Sequence, residues 1–208
     1  MENKTRILEA TANYFSATLA AHGTTALGVG WNGEKSQVIR FDQLLKVISQ
    51  PDSFSINDLG CGYAALLDYL LVNYHSFTYN GYDISDNMIR VAQDKHLNDS
   101  AAHFLVAAEP STVADYGVAS GIFNIRFERS DAECHDCLLS TLDALDRTSL
   151  RGFSFNCLTS YSDSDKMQDD LYYADPCVLF DLCKRRYSRY VSLLHDYQLY
   201  DFTIIVRK

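Results

Sequence analysis

Ile56-Asn57-Asp58-Leu59-Gly60-Cys61-Gly62-Tyr63-Ala64 joins a short apolar strand to a helix through a glycine turn that opens on a carboxylate. Gly60 and Gly62 permit positive φ and a close ligand approach, and the following helix offers unpaired backbone N–H groups at its start. Such a turn suits a nucleotide-like ligand. A second strand-like run, Phe77 to Tyr82, ends at Asp83, 25 residues after Asp58. An acidic group at about that distance binds ribose hydroxyls in a doubly wound sheet.

The Asp58-x-Gly60-x-Gly62 turn has Ala64 where a third glycine often sits, and Asp83 is followed by Asn87-Met88. Together these residues resemble class I S-adenosylmethionine-dependent methyltransferases. A dinucleotide site would ask for a third glycine, and Asp58 would crowd a pyrophosphate, whereas it suits a cationic ligand. The resemblance implies S-adenosylmethionine as cofactor. It places Asp58 and the Gly60 backbone at the methionine tail, Gly62 beside the nucleoside, Asp83 on the ribose diol, and Ile84 and Met88 against adenine. Met88 reads equally well as core filler, and Ser85 is the better N-cap of the next helix. Glu109, after the third strand, is offset from where an adenine contact is expected.

From residue 51 onward, strand-like runs at 53–58, 76–82, 103–107, 114–120, 152–158, 190–195 and 199–207 alternate with helical patterns at 63–74, 85–95, 130–147 and 176–188. Alternation of this kind predicts βαβ units and a mostly parallel sheet. Only Asp196-Tyr197-Gln198 separates the last two runs, which must therefore pair antiparallel. The expected fold is α/β, a doubly wound seven-stranded sheet with an antiparallel last strand. It forms a single domain in which 1–50, with helices over 4–21 and after Glu34, caps a Rossmann-like core at 51–208.

With 208 residues, 47% of them hydrophobic, the chain can bury one sizeable core. The net charge of −9 disfavours a phosphate-tracking surface and with it a nucleic-acid partner. Lys184-Arg185-Arg186, the one basic cluster, complements the end of a helix. No apolar stretch is long enough for a membrane span, no signal-peptide pattern opens the chain, and six scattered cysteines suit a reducing compartment, so a soluble cytoplasmic protein is expected.

Ligands of open α/β sheets bind beyond the carboxyl ends of the strands. That rule selects Asn124 after the fourth strand, Tyr172 and Tyr173 in the acidic segment after the fifth, and His195 at the end of the sixth. Asn124 would orient an acceptor or cap its loop. The tyrosines look like part of a half-buried lid, and His195 would serve as general base or as a turn histidine beside Asp196. Trp31, the sole tryptophan, covers the ligand or packs the N-terminal helices.

Cys134-His135-Asp136-Cys137 lacks the second pair of a zinc site, follows a helical apolar stripe behind the capping box Ser130-x-x-Glu133, and reads as core. No metal is expected. The function that follows is methyl transfer to a small-molecule acceptor, at oxygen or nitrogen rather than carbon or sulfur. Two rivals stand beside it: a non-catalytic cofactor-binding or partner-stabilising protein, and a methyltransferase acting on protein or RNA. An open pocket beside the cofactor favours turnover and a filled one favours the non-catalytic rival.

Overall fold

The computed structural model describes the backbone from Glu2 to Lys208 and side chains from Ile7 onward. Seven strands form one sheet: β1 (Phe54–Leu59), β2 (Phe77–Asp83), β3 (Ala102–Val106), β4 (Ala114–Ala119), β5 (Ser149–Leu158), β6 (Tyr190–Leu194) and β7 (Asp201–Arg207). Their order is β3-β2-β1-β4-β5-β7-β6, and β7 runs antiparallel to both neighbours while the remaining pairings are parallel. The expected architecture is therefore the observed one. Strand β5 begins earlier than composition suggests because Ser149 pairs with Ala114 across an irregular register.

Helices α1 (Glu2–His22), α2 (Glu34–Leu44), α3 (Ala65–Asn73), α4 (Asp86–Lys95), α5 (Asp131–Arg147) and α6 (Pro176–Arg186) surround the sheet. On one face Phe41, Leu45, Leu66, Leu67, Leu70 and Ile89 pack on Ile56, Tyr116, Val118 and Ile205. On the other, Leu138, Leu142 and Leu145 of α5 and Leu179 of α6 pack on Phe153, Phe155, Phe202 and Ile204. Burying such side chains contributes roughly 1.5–3 kcal/mol each, and truncating Leu142 to alanine would open a hole costing about 2–5 kcal/mol.

Helix starts follow the capping chemistry of the sequence. The Ser85 hydroxyl accepts from the Met88 N–H, and Ser130 and Glu133 close a reciprocal capping box. Asp175 caps α6 ahead of Pro176. The Lys184–Arg186 cluster fills the last turn of α6, where Arg185 pairs with Asp181 and Arg186 with Asp143. Among the described residues no helix is long and apolar enough to cross a membrane.

Candidate active site

Because β1 and β4 lead to opposite halves of the doubly wound sheet, a crevice opens at their carboxyl ends. The turn after β1 lies there. Gly60, Gly62 and Ala64 have φ of 78°, 55° and 64°, so the chain alternates into the left-handed region, which favours glycine at the first two positions. A Cβ on Gly60 would stand 2.1 Å from Ile122 Cγ2, and one on Gly62 2.9 Å from Val29 Cγ1. The glycines thus keep the loop after β4 and the N-terminal segment close to the turn.

Backbone N–H groups of Gly60 and Cys61 both donate to the Tyr82 carbonyl, at 2.7 and 3.0 Å, fastening the turn to the end of β2. Asp83 completes the link: its Oδ2 accepts from Gly62 N at 3.0 Å and its Oδ1 from Ser85 N at 2.8 Å. Each oxygen retains acceptor capacity toward the cleft, since a carboxylate accepts about four bonds. Burial raises the Asp83 pKa while its backbone donors lower it, with a net upward shift.

Asp58, buried at the end of β1, accepts from the Tyr79 hydroxyl at 2.6 Å. Its carboxyl is pushed up to about 7, chiefly by desolvation, with the Tyr79 bond opposing and the nearby Asp83 charge adding to the rise. A cation placed beside it would restore the carboxylate.

Asp58, Gly60, Gly62, Asp83, Ile84 and Met88 all line one cleft of about 1020 Å³. The structure brings the six expected cofactor residues together. Met88 is only 1% exposed and also packs with Leu19 and Tyr63, so it serves the core and the cleft wall together. Glu109 also lines this cleft and forms an ion pair with Arg147 at 3.1 Å.

Asn124 and Tyr173 line the same cleft. Asn124 Oδ1 accepts from Leu158 N at 3.3 Å, which leaves its amide nitrogen as a donor, and its carbonyl accepts from Tyr172 N at 2.8 Å. The acidic segment is thereby tied to the loop after β4, a link reinforced by the Ile125–Leu171 bridge. Tyr173 accepts from Gln168 N through its hydroxyl at 3.0 Å.

The other two expected residues lie elsewhere. Tyr172 is buried in the core on the α5–α6 face rather than in the cleft wall, and burial pushes its phenol up to about 12. His195 is exposed beyond the cleft wall, its ring against Tyr161 and Phe202. Strand β6 does end on the expected rim, but it is the edge strand, with β7 and β5 between it and β4.

Several cleft residues escape the sequence reading. Phe15, Tyr14 and Thr11 of α1 form a roof, and Tyr14 meets Phe127 edge-on with centroids 5.9 Å apart. The roof is attached by a 2.9 Å bond between the Ser16 and Ser85 hydroxyls. The amphipathic pattern of α1 is the signal for this role. Trp31 both lines the cleft and packs: a Cβ on Gly121 would stand 2.3 Å from its ring, and the Arg40 guanidinium lies 3.9 Å from its centroid.

Arg40, buried on α2, forms an ion pair with Asp201, which is fully buried at the start of β7. Burial raises the Asp201 pKa, opposed first by Arg40 and more weakly by His195. No sequence motif announces this pair. Cys134 is buried and Cys137 half-buried on α5, and both line the cleft, while no cluster of three metal-ligating side chains occurs among the described residues.

Comparison with solved structures places this fold. The protein of a DhpI–SAM–HEP complex superposes with a TM-score of 0.63 at 12% identity, covering 100% of this chain and 97% of that one. Magnesium protoporphyrin IX methyltransferase from Synechocystis PCC 6803, with bound SAH, gives 0.60 at 15% identity over 83% of this chain and 81% of that one. In sequence, Rv1506c of Mycobacterium tuberculosis, which carries a provisional methyltransferase name, is 57% identical over 164 residues, 79% of this chain and 99% of its own length. No protein-family model matches the chain. The chain belongs to the methyltransferase family of Rv1506c, and it shares its fold with the solved magnesium protoporphyrin IX methyltransferase.

Proposed function

We propose that this enzyme methylates a small molecule at a hydroxyl or amine, using S-adenosylmethionine held by the Asp58–Gly62 turn, Asp83, Ile84 and Met88. The observation that carries this reading is a single open cleft. One wall is the glycine turn with Asp83, and the other holds Asn124, Ser120 and Tyr173. A filled crevice would have supported a non-catalytic binding protein instead.

The donor set fits the cofactor. Asp83 has both oxygens fixed by backbone N–H groups and spare lone pairs for a diol, and a cation beside Asp58 would draw its carboxyl, near 7 when alone, to the charged form. When bound, S-adenosylmethionine supplies a sulfonium-activated methyl group. The protein's own work is alignment and exclusion of water, worth up to roughly 7–11 kcal/mol in well-oriented systems. Asn124 donates from its amide nitrogen to the acceptor, Tyr173 shapes the acceptor side, and the α1 roof excludes solvent. Neither His195 nor Tyr172 reaches the cleft wall, so this reading gives neither a part in the chemistry.

The test is calorimetry of S-adenosylhomocysteine binding, followed by incubation of the enzyme with methyl-labelled cofactor and a metabolite extract. Asp83→Ala is expected to weaken binding by about 1.5–3 kcal/mol, the worth of bonds to a charged acceptor. Unchanged affinity would remove Asp83 from the site. Label appearing in macromolecules and in no small compound would favour a protein or RNA acceptor.

A further inference from the structure

The acceptor end of the cleft contains a polar group of side chains whose bonding is incomplete. Among the described residues eight buried side-chain atoms lack a hydrogen-bond partner, and four of them, Arg40 Nε, Asp201 Oδ1, Ser120 Oγ and Asn156 Nδ2, fall in this one place. Arg40 is 6% exposed and Asp201 and Asn156 are 0% exposed, yet Arg40, Asp201 and Ser120 line the cleft. Leaving a buried polar group unpaired is unfavourable, so a cluster of four is unusual unless a ligand completes it.

Their convergence follows from the sheet. Asp201 stands opposite Leu158 and Thr203 opposite Asn156 in the β5–β7 register, which makes Asn156 and Asp201 diagonal neighbours on one face. That face is the one α2 covers, since Ser154, two residues before Asn156, donates to the Leu44 carbonyl at 2.8 Å. Asn156 Oδ1 accepts from Gly121 N at 2.7 Å, fixing its amide nitrogen beside Ser120. Arg40 reaches the group from α2, with one nitrogen on the Ser36 carbonyl, one on Asp201 Oδ2, and Nε without a partner.

We propose that Arg40, Asp201, Ser120 and Asn156 form an acceptor subsite for an uncharged polyhydroxylated compound, an assignment that rests on the methyl-transfer reading above. Charge selects the class. The formal charges of Arg40 and Asp201 cancel, so an anion meets the free Asp201 oxygen and an amine meets Arg40 Nε. Bonding capacity selects further: Asp201 Oδ1 asks for a donor, Arg40 Nε and Asn156 Nδ2 ask for acceptors, and Ser120 serves either way. One hydroxyl has a single O–H and cannot satisfy all four, whereas two or more neighbouring hydroxyls can. Trp31 supplies the apolar wall against which the C–H side of such a compound lies.

The test is saturation-transfer NMR with the methyl glycosides of glucose, galactose and mannose and with myo-inositol, alongside glucuronate and glucosamine, each with and without S-adenosylhomocysteine. At least one neutral polyol is expected to bind in preference to both charged sugars. Ser120→Ala, a half-buried position whose hydroxyl holds nothing else in place, is expected to weaken that binding about 3–10-fold with S-adenosylhomocysteine affinity kept. The charge-neutral pair Arg40→Gln/Asp201→Asn checks the same site where Ser120 contributes little, and is expected to abolish the signal.

Binding by none of the neutral panel, or by a charged sugar equally well, or a signal untouched by both variants overturns the subsite. If polyols bind as expected and S-adenosylhomocysteine does not bind at all, the cofactor reading fails while the subsite stands.

Discussion

The two halves of the cleft are built in opposite ways. On the β1–β2 side, a turn and two carboxylates lie within 26 consecutive residues, Asp58 to Asp83, and both carboxylates already have protein donors. On the β4–β5–β7 side, Arg40 meets Asp201 across 161 positions of sequence, and several buried polar atoms are left without partners. The first half is locally encoded and pre-formed, as recognition of one fixed ligand requires. The second depends on the whole tertiary structure and keeps bonding capacity in reserve, which is where specificity for a variable acceptor can evolve.

The comparison breaks most readily at the long-range half. Arg40→Met is expected to destabilise the protein by about 3–5 kcal/mol, because it strands a buried carboxylate, and to lower Tm by roughly 6–20 °C at about 2–4 °C per kcal/mol. Arg40→Met/Asp201→Leu should regain most of that loss in urea or thermal unfolding. A single variant as stable as the wild type would show that the pair plays no part in holding α2 to β7.

At the local half, Gly60→Ala combines a positive φ with a contact 2.1 Å from Ile122 Cγ2. Strain and overpacking together predict about 2–4 kcal/mol of lost stability and weaker cofactor binding. Relief of part of this loss by Ile122→Ala would locate its cause in the turn-to-loop contact, and no relief would put all of it in the backbone.

Proton linkage sharpens the contrast further, because the Asp58 carboxyl near 7 belongs to the cofactor half alone. Its folded pKa lies above its unfolded value near 3.8, so the stability it contributes is present below about pH 4 and is lost as pH rises through about 7. Ligand binding has the opposite slope. A cationic ammonium group needs the carboxylate, so S-adenosylhomocysteine affinity should fall up to about tenfold for each pH unit below 7, or about 1.4 kcal/mol. Calorimetry at pH 5.5 in buffers of different ionisation enthalpy should count close to one proton released per ligand bound. Asp58→Asn should flatten both profiles, and a wild-type affinity independent of pH would place the cation elsewhere.

The same contrast explains what the sequence made legible. Ser85 as cap, the Ser130–Glu133 box, the glycine turn and the β6–β7 pair are short-range features whose residues name their own geometry. Asp58 and Asp83 were readable for that reason. Arg40 was not, since an arginine on an amphipathic helix normally reads as a solvated position, and only packing of α2 on β5 and β7 buries it. His195 shows the converse difficulty. Strand ends identify the rim but not the distance along it, and two intervening strands carry His195 past the cleft. Tyr172 and Tyr173 could not be told apart by composition. The chain's pairing with the loop after β4 turns the first into the core and the second to the cleft.

The bond between Ser16 and Ser85 has a kinetic meaning. Ser85 also caps α4 and directs its backbone N–H at Asp83, so the roof and this carboxylate share one anchor. A ligand that leaves by the motion that frees α1 has a residence time set partly by a contact it never touches. Ser16→Ala should shorten the residence time of S-adenosylhomocysteine a few-fold in stopped-flow displacement, in line with one lost hydrogen bond of about 1 kcal/mol. An unchanged dissociation rate would mean that the exit runs past the β4 loop. A shortened residence time would make the two serines a latch on the rate of ligand exchange.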